Sequence, residues 1–500
     1  MWLLLTLSAF SAIAFVLLRL LAYFRYVKKC SLIPTLGDSL PVIGHAHHLI
    51  IKDTVEIVDF IAGKCRESNQ VGGVSKIWIG PYPLMLITDP DDALTVANTC
   101  YQKPYVYKFA DAWVGDGLAT ALLTTTWRKH RKLLNPSFSQ QCLNGFLQIF
   151  NEQAAALARD LAPHAGGGPF DHNRYIMSNA FDGICKTTFG KPDGILDKGS
   201  STEDYKKAVD TIVHVCMQRI LTLWMHFDVV FKFSKLRAEE EKAVKTLRGT
   251  SWDALKKTQS AVGQENKKLD DRFQPFINSL IDLIADGSMT EKEIQEELDT
   301  LIFAGHDTSA TQLLYVLMAI GSYPDVQEKI YKELQEVFGD STRDVTKDDF
   351  RRLEYLEAVL KEVMRLYPIA PIILRDIDQD VKCKNVTIPS GSTAFIGLWG
   401  VNRSGAWGAD ADQFDPGRWL EPARLPASPA AFASFSIGKR GCIGKTYAMM
   451  SMKTTLVHLL RRYRLKADIS KLQVQLVLML KPVSGCEISI ESRDAEKKCN

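Results

Sequence analysis

The chain has 500 residues, and its 61 Lys+Arg against 58 Asp+Glu leave a formal charge of +3, too balanced for a nucleic-acid binder that works by bulk charge. Apolar residues make up 46% and charged residues 24%, the proportions of a folded globular protein, which exclude a disordered, collagenous or many-pass membrane chain. The ten cysteines stand singly, with neither the paired spacing of a zinc module nor the density of a disulfide scaffold; nine are read as reduced packing residues, and Cys442 is set apart by its neighbours.

Trp2 to Leu18 carries no charge, and past Arg19 the apolar run continues to Phe24. The pattern predicts one transmembrane helix within residues 1–24. No basic segment precedes it and no small-residue cleavage site follows, which disfavours the competing reading of a cleaved secretory signal. Arg25, Lys28 and Lys29 come next, so the positive-inside rule puts the rest of the chain in the cytosol, and the sequons starting at Asn385 and Asn402 are expected to stay free of glycan. Residues 25–45, with Pro34, Gly37, Pro41 and Gly44, read as a basic stop and stiff hinge. Residues 46–500 follow as one globular domain without repeat or linker.

Ile77 to Ile87, broken by Gly80 and Pro81, predicts a β-hairpin. Helical periodicity dominates from about residue 91 to 370. The clearest helix starts at Thr290, which forms a capping box with Glu293, and no proline interrupts it before Pro324; at 1.5 Å per residue it is ~45 to 50 Å long. A second helix carries Leu356, Val359, Leu360 and Val363 on one face and ends before Tyr367 and Pro368. Strand-like runs occupy residues 386–398 and 472–490, bounded by Pro389, Gly391 and Gly485. The expected fold is mainly α with small β-sheets (α+β).

The segment Phe435 to Gly444 holds Gly438, Gly441 and Gly444 around Cys442 and leads into a helical stretch. Three glycines let the backbone turn tightly against a flat ligand, while amides and the helix N-terminus favour a thiolate. Arg440 offers a fork to a carboxylate. A phosphate loop is excluded, because Gly438 and Gly444 are separated by five residues where that motif needs four. With Phe435, Gly438, Arg440, Cys442 and Gly444 in place, the segment resembles the haem-binding loop of the cytochrome P-450 family.

Other segments fit the same resemblance. Ala304 to Ser309 resembles the family's oxygen-activation motif, in which the alcohol of Thr308 bends the helix and Asp307 with Thr308 relays protons. Some relatives carry a glutamate that esterifies the haem where this chain has Ala304. His306 is read as a helix residue in a groove or solvent rather than a metal ligand. Glu362 and Arg365, one helical turn apart, match the family's ExxR pair, with Arg418 as third member; Gly417 stands where the family commonly has glutamate, which leaves the packing of that turn open. Trp127 and Arg131 resemble a propionate clamp, and Arg375 a further propionate contact, although a basic solvated helix face would equally explain Arg128, Lys129 and Lys132 beside the first pair.

The resemblance spans essentially the whole chain and points to the clan of fatty-acid omega-hydroxylases. It implies a cytochrome P-450 fold behind the anchor and non-covalent haem b with Cys442 as axial iron ligand. It further implies a monooxygenase that inserts one atom of dioxygen into a fatty acid, terpenoid, hormone or xenobiotic. Electrons would come from NADPH through a flavoprotein reductase, with cytochrome b5 as an optional second donor, at the endoplasmic reticulum membrane. Arg128, Lys129 and Lys132, with Lys439, Lys445 and Lys453, are expected to form the reductase-docking face. A peroxide isomerase or dehydratase and a non-catalytic haem sensor are the rival readings; the former tends to lack the acid and alcohol.

Overall fold

The computed structural model describes residues 2–50, 53–190, 200–262 and 274–493; Cys499 lies outside them. Helix α1 (Trp2–Lys29) runs unbroken past Phe24, because the arginine and lysines that end the apolar run are themselves good helix formers and suit a helix C-terminus. The segment Phe10–Leu32 is long and apolar enough to cross a membrane, with mean hydropathy 1.6, and it is not buried against the protein. The base of α1 is tied to the globule. Tyr23 Oη donates to the Pro81 carbonyl at 2.7 Å and Tyr26 Oη to Ser392 Oγ at 3.1 Å. The proline-rich segment beyond it folds back on the sheet, with Leu40 and Gly44 exchanging backbone bonds of 3.0 and 2.9 Å. Gly44 has φ +60°, and a Cβ there would stand 2.4 Å from the Trp78 carbonyl oxygen, so no other residue fits.

Strands β1 (Val74–Ile79) and β2 (Tyr82–Ile87) form the hairpin around Gly80 and Pro81. It starts earlier than its apolar run, because the polar residues Ser75 and Lys76 are buried with partners, Ser68 Oγ at 2.9 Å and the Cys30 carbonyl at 2.7 Å. With β3 (Ile373–Asp376) and β4 (Thr393–Ile396) it makes a sheet of order β1-β2-β4-β3, in which β2 and β4 are parallel. The run 386–398 is therefore divided: Thr387–Ile388 pairs with Val381–Lys382, Thr393–Ile396 joins the main sheet, and Leu398 starts a short helix. At the C-terminal end, β5 (Tyr463–Ala467) pairs with β8 (Glu487–Ser492), and β6 (Gln473–Val477) pairs with β7 (Met479–Ser484).

Around these sheets pack the helices α2 (Pro90–Thr99), α3 (Thr124–Leu134), α4 (Leu147–Leu161), α5 (Asn173–Phe189), α6 (Ser200–Leu221), α7 (Glu291–Ser322), α8 (Glu354–Leu366) and α9 (Lys445–Arg462). The long helix α7 is capped as expected: Thr290 Oγ1 accepts from Glu293 N at 3.2 Å and Glu293 Oε2 accepts from Thr290 N at 2.7 Å. Its second half, Leu313 to Ile320, is wholly buried and meets α8 through Leu356, Val359, Leu360 and Val363, all 0% exposed. This is the central core, and it holds α7 rigidly across the molecule.

Candidate active site

Three buried charged side chains, Glu362, Arg365 and Arg418, form one ion-pair cluster. Glu362 receives Arg365 in a two-pronged pair, both bonds 2.8 Å, and Arg418 Nε at 2.9 Å. Trp419 Nε1 at 3.0 Å and Asp415 N at 3.0 Å complete its carboxylate. All three charged residues are 0% exposed, so their spacing denotes a buried lock and not a surface pair. Gly417 leaves the turn intact, since Asp415 Oδ1 accepts from Gly417 N at 2.9 Å and caps it. Arg365 also donates to the Asn402 carbonyl at 3.0 Å, and Asn402 in turn holds Ala433 N at 2.7 Å and Ser434 Oγ at 3.0 Å. The lock is thereby joined to the chain that leads into the cysteine loop. Asn402 is fully buried and cannot accept a glycan on either side of a membrane.

The cysteine loop is fixed by Cys442 N donating to the Phe435 carbonyl at 2.8 Å and Gly441 N to the Gly438 carbonyl at 2.9 Å. Gly438 has φ +69°, and a Cβ there would come 2.8 Å from Asn98 Oδ1 of α2, the atom that accepts from Lys439 N at 3.0 Å. Cys442 stands just before α9, whose N-cap is Gly444, and its side chain is exposed. The surrounding protein still desolvates the sulfur and pushes the thiol up, against the Gly444 amide, Arg131 and Lys445, which favour the thiolate.

In mid-helix α7, Ala304 is exposed and Thr308 half-exposed although Ile302, His306 and Asp307 around them are buried; this face opens on interior space. Thr308 Oγ1 donates to the Ala304 carbonyl at 2.6 Å, the back-bond that bends a helix. Gly305 faces α5, where a methyl would meet Ile184 Cδ1 at 2.4 Å. Its place in the helix is thus explained by close packing. His306 corrects the sequence reading: it is 2% exposed, set edge-on to Phe181 at 5.3 Å, and burial holds its ring neutral with a pKa of about 3.

A group of cations lies beside the cysteine loop with no carboxylate paired to any of them among the described residues. Arg440 lies over the Trp127 ring at 4.7 Å and gives both terminal nitrogens to the Ala121 carbonyl at 3.1 Å. Arg375 donates to the Leu374 carbonyl at 2.7 Å. The Nε atoms of both are buried without a partner. Burial, then Arg375, lowers the Arg440 guanidinium to about 9, and burial with both arginines lowers Lys103 well below its ordinary range. Lys103 lies over the Tyr107 ring at 4.3 Å. Neither residue was visible as a site residue from sequence, where Lys103 is a lone lysine before a proline with no motif around it. Arg131 Nη1 donates to the Gly441 carbonyl at 2.8 Å, so it supports the cysteine loop directly.

A dianionic macrocycle with a central metal answers these demands, since its carboxylates would meet guanidinium groups that no described carboxylate meets and its metal the Cys442 sulfur. Fold and cavity together define a haem-thiolate protein. The Cytochrome P450 family model matches residues 34–484. Cytochrome P450 4V2 of Homo sapiens is 30% identical to this chain, covering 99% of the chain and 96% of that relative. Cytochrome P450 4c3 of Drosophila melanogaster is 28% identical over 94% of the chain and 91% of its own length, and the probable cytochrome P450 4s3 of the same species 32% over 85% and 86%. The chain belongs to the cytochrome P450 family; it is a monooxygenase whose cofactor is haem b.

Above the site lies a cavity of about 940 Å³ that runs from Tyr26, Phe60 and Tyr82 beside the anchor to Thr300 and Phe303 of α7, with no Asp or Glu among its lining residues. An ester between protein and haem needs a carboxylate, and Ala304 supplies none. Acid-acetone extraction of the purified protein should therefore release all of its haem, and haem that stays with the polypeptide would show that another carboxylate has reacted.

The basic face requires one correction. Lys453 is 3% exposed and donates to Glu357 Oε2 at 2.9 Å and the Phe350 carbonyl at 2.8 Å. It is an internal strut and cannot dock a partner. Lys129 pairs with Glu293 at 2.8 Å and is still exposed, as are Arg128, Lys132, Lys439 and Lys445.

Proposed function

We propose that this monooxygenase oxidises an apolar small molecule drawn from lipid, of the fatty-acid, terpenoid or xenobiotic kind. The observation that carries this is the acid-free cavity, which starts at the foot of a helix fit to cross a membrane and ends at the cavity face of α7. Residues 1–24 anchor the chain in the endoplasmic reticulum, 25–45 form the stop and hinge, and 46–500 form the cytosolic catalytic domain. Haem, when bound, supplies the chemistry that divides dioxygen and places one atom in the substrate. Cys442 would hold its iron, Phe435 would fix the loop through its carbonyl bond to Cys442 N, and Trp127, Arg131, Arg375 and Arg440, with Lys103, would hold its carboxylates. Asp307 and Thr308 move protons to the reacting centre. Electrons arrive from an NADPH-dependent flavoprotein reductase, with cytochrome b5 as a second donor, at the face formed by Arg128, Lys129, Lys132, Lys439 and Lys445.

The test uses the full chain in phospholipid nanodiscs, titrated with fatty acids, terpenoids and plant toxins while the Soret band is followed, then assayed with NADPH and reductase. Apolar ligands should shift the band, and product should require reductase. A protein that responds to no apolar ligand, or turns over equally without reductase, overturns the reading.

A further inference from the structure

Asp307 is 1% exposed, and among the described residues its charge is met by one cation, Lys481 of β7, whose Nζ lies 2.9 Å from Asp307 Oδ1 in an ion pair that leaves both carboxylate oxygens without a hydrogen bond. The same Nζ lies 3.4 Å from Asp210 Oδ1 on α6, a carboxylate that is 71% exposed. One lysine therefore bridges a buried acid on the oxygen-activating helix and a surface acid on α6, which lines the cavity through Ile212, Val213, Cys216 and Met217. We propose that Lys481 is a positioning residue that keeps Asp307 charged for proton delivery, and that Asp210 ties this setting to the helix that lines the cavity.

The inference rests on Asp307 and Thr308 being the proton-delivering pair. Burial pushes the Asp307 carboxyl up, and Lys481 opposes it. The other titratable groups facing this centre are Lys206 and Asp210 on α6 and His306 and Tyr315 on α7. His306 stays neutral, and of the cations Lys481 is the one that acts on the Asp307 carboxyl. An Asp307 that loses its counter-charge takes up a proton and holds it, and delivery fails over the pH range in which the acid is protonated. Coupling of NADPH to product falls as pH drops through the Asp307 pKa. Lys481→Met should move that fall upward by about 1 to 3 pH units, the effect of one opposite charge on a carboxyl. Asp210→Asn removes a competing anion at an exposed site and should move it downward.

The experiment measures hydrogen peroxide released per NADPH against pH in the haem-loaded protein. It also measures the infrared band of protonated Asp307 in the resting protein, assigned in Lys481→Met by its loss when Asp307→Asn is added. Lys481→Met should raise peroxide several-fold near neutrality and bring up the band, and Lys481→Arg, which keeps the charge, should restore both. Unchanged pH profile and band in Lys481→Met, in a background where Thr308→Ala uncouples, overturn the inference alone. No rescue by Lys481→Arg overturns positioning by charge, and an Asp210→Asn profile that is unmoved or moves upward overturns the link to α6. A Thr308→Ala protein with full coupling overturns the proton-delivery reading beneath it.

Discussion

Cys442→His is expected to abolish the far red-shifted Soret band of the reduced carbon monoxide complex and to reduce turnover to background. A thiolate pushes electron density toward the iron in a way that imidazole does not. The other described cysteines do not replace it. Cys185 and Cys216 are packed in the core, where burial pushes their thiols up, Cys216 to about 12, and none of the others stands before a helix in a loop turned by Gly438 and Gly441. Retention of the band in Cys442→His would remove Cys442 from the iron.

Glu362→Ala is expected to abolish the recovery of haem-loaded protein. Its carboxylate is the common acceptor for Arg365, Arg418, Trp419 Nε1 and Asp415 N, and truncation strands two guanidinium groups at 0% exposure. Removing one partner of a buried pair costs about 3 to 5 kcal/mol, a large part of the stability of an ordinary domain. Because Arg365 holds the Asn402 carbonyl and Asn402 holds Ala433 N, the damage reaches the segment before the cysteine loop. The loss should appear as missing haem absorbance and a lowered melting temperature. Glu362→Gln keeps the shape and one acceptor oxygen and should be damaged less. Normal haem content in Glu362→Ala would reduce the lock to an ordinary ion pair.

What could be read from the sequence was whatever is local in it. The capping box at Thr290, the α8 stripe from Leu356 to Val363 and the glycine-turned loop around Cys442 each state their geometry within one or two turns of chain. Contacts between distant segments left no such mark. Lys453 looks like one more basic residue near a solvated helix, and only the approach of Glu357 from α8 and of the Phe350 carbonyl makes it internal. His306 follows a helix that changes faces every residue, and nothing in its neighbours tells that α5 covers it. The pairing of Lys481 with Asp307 joins residues far apart in the chain, and periodicity carries no information about such a meeting.

The two tyrosine bonds at the base of α1 turn the anchor from a tether into a lever. Its apolar run, residues 2–24, is about 35 Å long at 1.5 Å per residue, longer than a hydrocarbon layer of about 30 Å, so in a membrane its upper part would lean or protrude. With Tyr23 fastened to Pro81 and Tyr26 to Ser392, the globule turns with any lean. With α1 in a bilayer, the bilayer's thickness would set the angle at which the cavity mouth at Tyr26 and Tyr82 meets the lipid, and membranes of different thickness would present the same enzyme to their lipids at different depths.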